Sequence, residues 1–131
     1  MQAAALANHS AKTVSWTGRV LSTIVILFMI FDGVLHVWKP APVVEAFNQL
    51  GYPIRAAVAL GILALVCTAL YAIPRTAVLG AVLLTAYLGG AVATQVRAEA
   101  GWFPIIFPVL LGVLLWTGLA LRDARVRSLI T

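Results

Sequence analysis

Residues 60–97 read LGILALVCTALYAIPRTAVLGAVLLTAYLGGAVATQVR, two apolar runs that meet at Pro74-Arg75. Taken back to Ala56, the first run ends at Ile73; the second extends from Thr76 to Val96. At about 1.5 Å of rise per residue, either one crosses a hydrocarbon core of about 30 Å as a helix. The two-residue break leaves no room for anything but a tight turn, so these helices are antiparallel neighbours. Strands do not fit, because the runs are continuous instead of alternating and a barrel needs at least about eight strands. In lipid every backbone polar group must be satisfied internally, which leaves helices.

Outward from this hairpin the same texture continues. An apolar run from Val20 to Val37 precedes it and another from Phe103 to Leu121 follows it. Pro104 suits a first helical turn, whereas Pro108 is expected to kink the last helix or shift its start. The chain is thus predicted to be all-α, one polytopic transmembrane domain over 1–131. Its four spans cover about 20–37, 56–73, 76–96 and 103–121, with tails at 1–15 and 122–131. The composition agrees: of 131 residues, 63% are hydrophobic and 10% charged, against about 45–50% and 25% in soluble domains. The first span shows no secretory cleavage signal and is expected to be retained.

Between the first two spans lies WKPAPVVEAFNQLGYPIR, residues 38–55. Lys39-Pro40 stops the first helix. Pro42 to Leu50 then forms amphipathic turns with Val43, Val44, Phe47 and Leu50 on one side, to lie in the interface or over the bundle mouth.

Four spans put both ends on one side. There stand Lys12, Arg19, Arg75, Arg122, Arg125 and Arg127; opposite them stand Lys39, Arg55 and Arg97. Six against three predicts cytoplasmic termini. The net charge of +5 therefore reads as topology signalling and attraction to anionic membrane lipids, not as a nucleic-acid surface. On the helix from Thr76, Ala81, Thr85, Gly89 and Ala93 make a small-residue stripe, with Gly90, Ala86 and Thr94 on an adjacent one, expected to pack against a helix or a second copy or else to leave space for a ligand. Cys67, the single cysteine, excludes an internal disulfide and reads as a small buried hydrophobe.

Ionisable groups inside a span are costly, about 2.5–3.5 kcal/mol for Asp near the centre, and so mark candidate sites. Asp32 lies about 8 Å below the end of the first helix, with His36 one turn on along the same face. Antiparallel geometry brings Gln95 and Arg97 to the same depth. Asp32, His36, Gln95 and Arg97 are expected to line a ligand pocket that opens on the side away from the termini, roofed by Glu45, Asn48 and Tyr52. The competing reading is a staple of Asp32 with Arg97 or His36. No metal site is expected, since Asp32 and His36 supply two ligands only.

FDGVLHVWKPAPVVEAFNQLGYP, the hairpin segment and the terminal LRD resemble the DoxX-like family of small bacterial membrane proteins. The resemblance implies a bacterial inner-membrane location and an association with membrane redox or oxidative-stress systems, the broader group acting with quinones. Asp32, Arg97 and Glu45 match the family pattern. Ala64 stands where an acidic residue is common, and Gln95 where histidine is frequent. These departures remove ionisable groups from the expected pocket and leave catalysis open. No cofactor motif is present. Two readings follow: a redox-associated protein binding a quinone-like lipophilic molecule, or a non-catalytic lipid-binding or scaffold subunit with a homo-oligomeric or protein partner. A small transporter is less supported, because broken helices and repeats are not apparent.

Overall fold

A computed structural model describes residues 2–130; Met1 and Thr131, the ends of the two expected tails, lie outside them. Four helices long and apolar enough to cross a membrane form the body of the chain: α1 (Gln2–Trp38), α3 (Arg55–Ala72), α4 (Ala77–Arg97) and α5 (Trp102–Arg122). Two short helices join them, α2 (Ala41–Leu50) and α6 (Ala124–Ile130), and the described residues contain no strand. The chain is an all-α polytopic membrane protein. The expected amphipathic segment is α2, which begins with proline near its N-terminus and ends on Gly51 in the left-handed conformation, φ 78°. Glycine meets that requirement without a Cβ clash.

Three limits differ from the sequence expectation. α1 does not start near Val20 but at Gln2. The segment between carries no glycine or proline before Gly18, so nothing breaks the helix. At 37 residues it is about 56 Å long, more than one bilayer core requires. Residues 124–130 are helical as well, with Asp123 as the cap: its Oδ1 accepts the Arg125 backbone N–H at 2.9 Å, the usual N-cap geometry. Hydrogen bonds from the Arg125 guanidinium hold the Asp123 carboxyl below the usual carboxylate range. Finally, α5 starts at Trp102 and continues through Pro108, so that proline does not shift its start.

α1 packs on α3 and α5, and α4 packs on the same two. The ring order is therefore α1, α3, α4, α5, with α1 and α4 on one diagonal. At the end that carries the termini the helices are pressed together. A Cβ on Gly18 would stand 2.5 Å from Arg122 N and 2.8 Å from Gly118 O. One on Gly80 would fall on the backbone of Tyr71. Such approaches let helix backbones touch where lipid supplies no hydrophobic drive for association.

Within the chain, the small-residue stripes on α4 meet neighbouring helices only in part. Ala81 is buried, but a Cβ on Gly89 or Gly90 would meet nothing within 4 Å. Gly89 lines an outer groove between α4 and α5, and Gly90 faces the cavity described below. The residues of close contact lie instead on α1, α3, α5 and the first turn of α4.

A buried polar knot locks the tight end. Tyr71, fully buried on α3, donates to the Leu115 carbonyl of α5 at 2.6 Å. Its one proton being used there, the Ser22 hydroxyl of α1 donates to Tyr71 Oη at 3.1 Å. Arg122 Nη2 donates to the Tyr71 carbonyl at 2.6 Å, and its guanidinium carbon lies 4.6 Å from the Tyr71 ring centroid. Thr76 Oγ1 donates to Leu70 O at 2.7 Å, closing the turn after α3. The knot joins three helices through groups that would be costly to leave unpaired in lipid.

Candidate functional site

At the opposite end the bundle opens around a cavity of about 620 Å³, while α1 and α3 stay in close contact there, a Cβ on Gly61 falling 2.7 Å from Gly33 O. That size lies within the range of small-molecule sites, about 300–1,000 Å³. The lining comes mainly from the second half of α1 and α4 and the first half of α3 and α5, which antiparallel order brings to one depth, with Cys67, Leu83 and Ala86 at its floor towards the middle of the bundle. α2 covers it, contributing Phe47 and Leu50, and Tyr52 follows from the loop. Phe47 is only 5% exposed, so the apolar face of α2 is seated on the bundle. The aromatic wall is Phe28, Phe103 and Phe107. Phe28 and Phe107 meet edge to face at 5.0 Å, and Phe103 stacks on Phe107 at 5.6 Å. The remaining lining is mainly Met29, leucines, prolines and alanines, with Cys67 at its α3 side.

Set into this apolar wall is a narrow polar edge. Asp32 and His36 sit one helical turn apart on α1, as the i, i+4 spacing requires. His36 Nδ1 lies 2.7 Å from the Asp32 backbone carbonyl and 3.5 Å from Asp32 Oδ2. A carbonyl only accepts, so Nδ1 carries a proton and donates to it. Across the bundle diagonal, Tyr87 of α4 donates to Asp32 Oδ2 at 3.5 Å. Tyr52 donates to Thr94 Oγ1 at 3.1 Å, and Thr94 donates to Gly90 O at 2.8 Å. The second of these bonds uses the Thr94 proton and thereby fixes the direction of the first. The Tyr52–Thr94 contact ties the α2–α3 loop down onto α4.

Of the residues expected at this site, Asp32, His36 and Gln95 line the cavity, as does Tyr52 of the proposed roof. Arg97, Glu45 and Asn48 do not; all three are exposed. Helical rotation explains the first two. Arg97 stands two residues beyond Gln95, and Glu45 two before Phe47, so each points to the far side of its own helix. Of the two pairings considered for Asp32, the structure forms the one with His36. Ala64, the expected family acidic position, is fully buried and outside the lining. Cys67 is buried, as expected, yet also reaches the cavity.

The sequence reading missed Tyr87. It faces Asp32 from a helix more than fifty residues away, and an isolated tyrosine in an apolar run reads as packing. Among the described residues no group of three or more His, Cys, Asp or Glu could hold a metal ion. The arrangement can hold a largely apolar, ring-bearing molecule by its faces and hydrogen-bond one polar end of it.

No curated protein and no solved structure gave a significant match to the chain. Residues 20–118, which hold the whole cavity lining and most of the four spans, match the model of the DoxX-like family, and the chain belongs to that family.

Proposed function

We propose that this integral membrane protein binds a lipophilic, quinone-like small molecule in the cavity between α1, α3, α4 and α5, as part of a membrane redox or stress-related system. The observation that supports this is a polar edge of Asp32, His36 and Gln95 set beside an aromatic wall inside an apolar cavity. A hydrocarbon tail alone has no use for a carboxyl and an imidazole placed in a span, where polar groups are costly. A flat head group with one polar end uses both surfaces. Arg97 and Glu45, exposed and outside the lining, are given no contact with it. The cationic excess near the termini supports a cytoplasmic placement of both ends, so that the cavity opens on the far face of a bacterial inner membrane. A reporter fused after Thr131 is expected to read cytoplasmic.

The test is native mass spectrometry, with lipid extraction, of protein purified from its own membranes. A stoichiometric ring-bearing molecule is expected, and its loss in Asp32→Ala. Recovery of bilayer phospholipid alone, unchanged by that substitution, overturns the proposal and leaves Asp32 and His36 as a helix staple in a scaffold subunit.

A further inference from the structure

The direction of the hydrogen bonds around the cavity restricts what can occupy it, and this inference rests on the cavity being a ligand site. Each hydroxyl or ring N–H of the polar edge has an assigned use for its proton. His36 Nδ1 gives its proton to the Asp32 carbonyl, and Tyr87 gives its own to Asp32 Oδ2. Tyr52 donates to Thr94, and Thr94 donates to Gly90 O. What these groups have left is acceptor capacity: Asp32 Oδ1, the second lone pairs of Tyr87 and Tyr52, and His36 Nε2. No described residue bonds Nε2. Because Nδ1 holds a proton already, neutral His36 has its lone pair at Nε2. Among the lining side chains only the Gln95 amide keeps strong donors, and the Cys67 thiol a weak one.

A site of spent donors and open acceptors favours a ligand that brings protons. A carbonyl head group would find one strong donor, at Gln95, and would face lone pairs elsewhere. A hydroxyl head group would donate to Nε2 and find acceptors beside it. We infer that the cavity selects hydrogen-bond donors, aromatic molecules bearing a free phenolic hydroxyl, and that in a quinone couple it holds the reduced, dihydroxy form in preference to the dicarbonyl form. His36 Nε2 is the acceptor. Asp32 and Tyr87 are positioning residues that fix the ring and the carboxyl.

The inference is tested by ligand binding to the full chain in lipid nanodiscs, referenced to empty nanodiscs. Four probes share one alkyl tail: a para-alkylphenol, its methyl ether, the alkylhydroquinone kept anaerobic, and the alkylbenzoquinone. The phenol and hydroquinone are expected to bind about tenfold more tightly than the ether and the quinone, the worth of one well-made hydrogen bond. In His36→Leu that preference is expected to collapse; a preference unchanged in that variant overturns His36 as the acceptor. Equal affinity for all four, or tighter binding of the quinone, overturns the donor preference in the wild-type protein alone and leaves the cavity reading standing. Binding of none overturns both.

Discussion

Gly80→Ala and Gly89→Ala form a matched pair one helix apart in consequence. Both add a single methyl group to α4, and both raise helix propensity by the same amount, worth up to about 1 kcal/mol. They differ only in what the methyl meets. At Gly80 it would fall on the backbone of α3, with Tyr71 Cα at 2.5 Å and the Leu70 carbonyl carbon at 2.7 Å. Ordinary contact begins at 3.4 Å, so α4 must withdraw by roughly 1 Å, and backbone cannot yield as a side-chain tip does. Overpacking of this kind costs about 1–3 kcal/mol. Propensity is common to both, so Gly80→Ala is expected to lie about 1–3 kcal/mol below Gly89→Ala, or roughly 3–10 °C in melting temperature for a chain of this size. At Gly89 nothing lies within 4 Å, so Gly89→Ala should melt with the parent or a few degrees higher. The assay is thermal unfolding in detergent followed by circular dichroism, with both variants in one lipid and detergent composition. Equal melting temperatures for the two variants would refute the close approach of α3 and α4, and with it the asymmetry of the bundle.

Tyr71→Phe removes a donor to Leu115 O and an acceptor for Ser22. A loss of about 1–2 kcal/mol in detergent unfolding is expected, and Ser22→Ala should lose less, since Tyr71 keeps its bond to Leu115. Asp32→Asn and Arg97→Gln are expected to have additive effects on melting temperature, because Arg97 is exposed and outside the cavity where Asp32 pairs with His36; a coupling well beyond the error of the cycle would place Arg97 at the cavity after all. Asp123→Asn keeps a cap for α6 but loses the ion pair to Arg125. Because the folded carboxyl titrates below its usual range, its contribution is present above about pH 4 and fades as pH falls through the lower folded value. Solvent screening keeps that contribution small, so the variant should match the parent in acid and melt slightly lower at neutral pH.

What the sequence could carry was whatever depends on a run of neighbours. Hydropathy and the Pro74-Arg75 break define the hairpin, and the proline and apolar spacing of residues 42–50 define α2. Asp32 and His36 stood out because charge in a span is rare and their spacing is one turn. What failed depended on rotation or on distant partners. Arg97 and Glu45 were grouped with the site by depth, whereas two residues of helix turn a side chain away from it. Gly89 and Gly90 followed the small-residue pattern, but the pattern does not say which side the neighbouring helix occupies. The Ser22–Tyr71–Arg122 knot and the Tyr87–Asp32 contact join residues about fifty positions apart, and nothing local to any of them announces the partner. α1 runs past its apolar stretch to Gln2 because the polar residues there lack a breaker, a signal that hydropathy does not register.

The four spans are fastened where Gly18, Gly118, Tyr71 and Gly80 meet, and some twenty ångströms away the bundle opens, with α1 and α3 still touching at Gly33 and Gly61. From Gly118 to Phe103 is fifteen residues of one helix, about 22 Å of lever. With its fulcrum at the knot, a tilt of about 5° in α5 carries Phe103 about 2 Å sideways. If the cavity takes up a ligand as proposed, α5 would act as the moving arm of a pair of tongs, widening the grip for a bulkier head group without unmaking a hydrogen bond at the pivot. Stiffening or loosening the pivot would then change the size of molecule the grip accepts, although no residue of the pivot touches it.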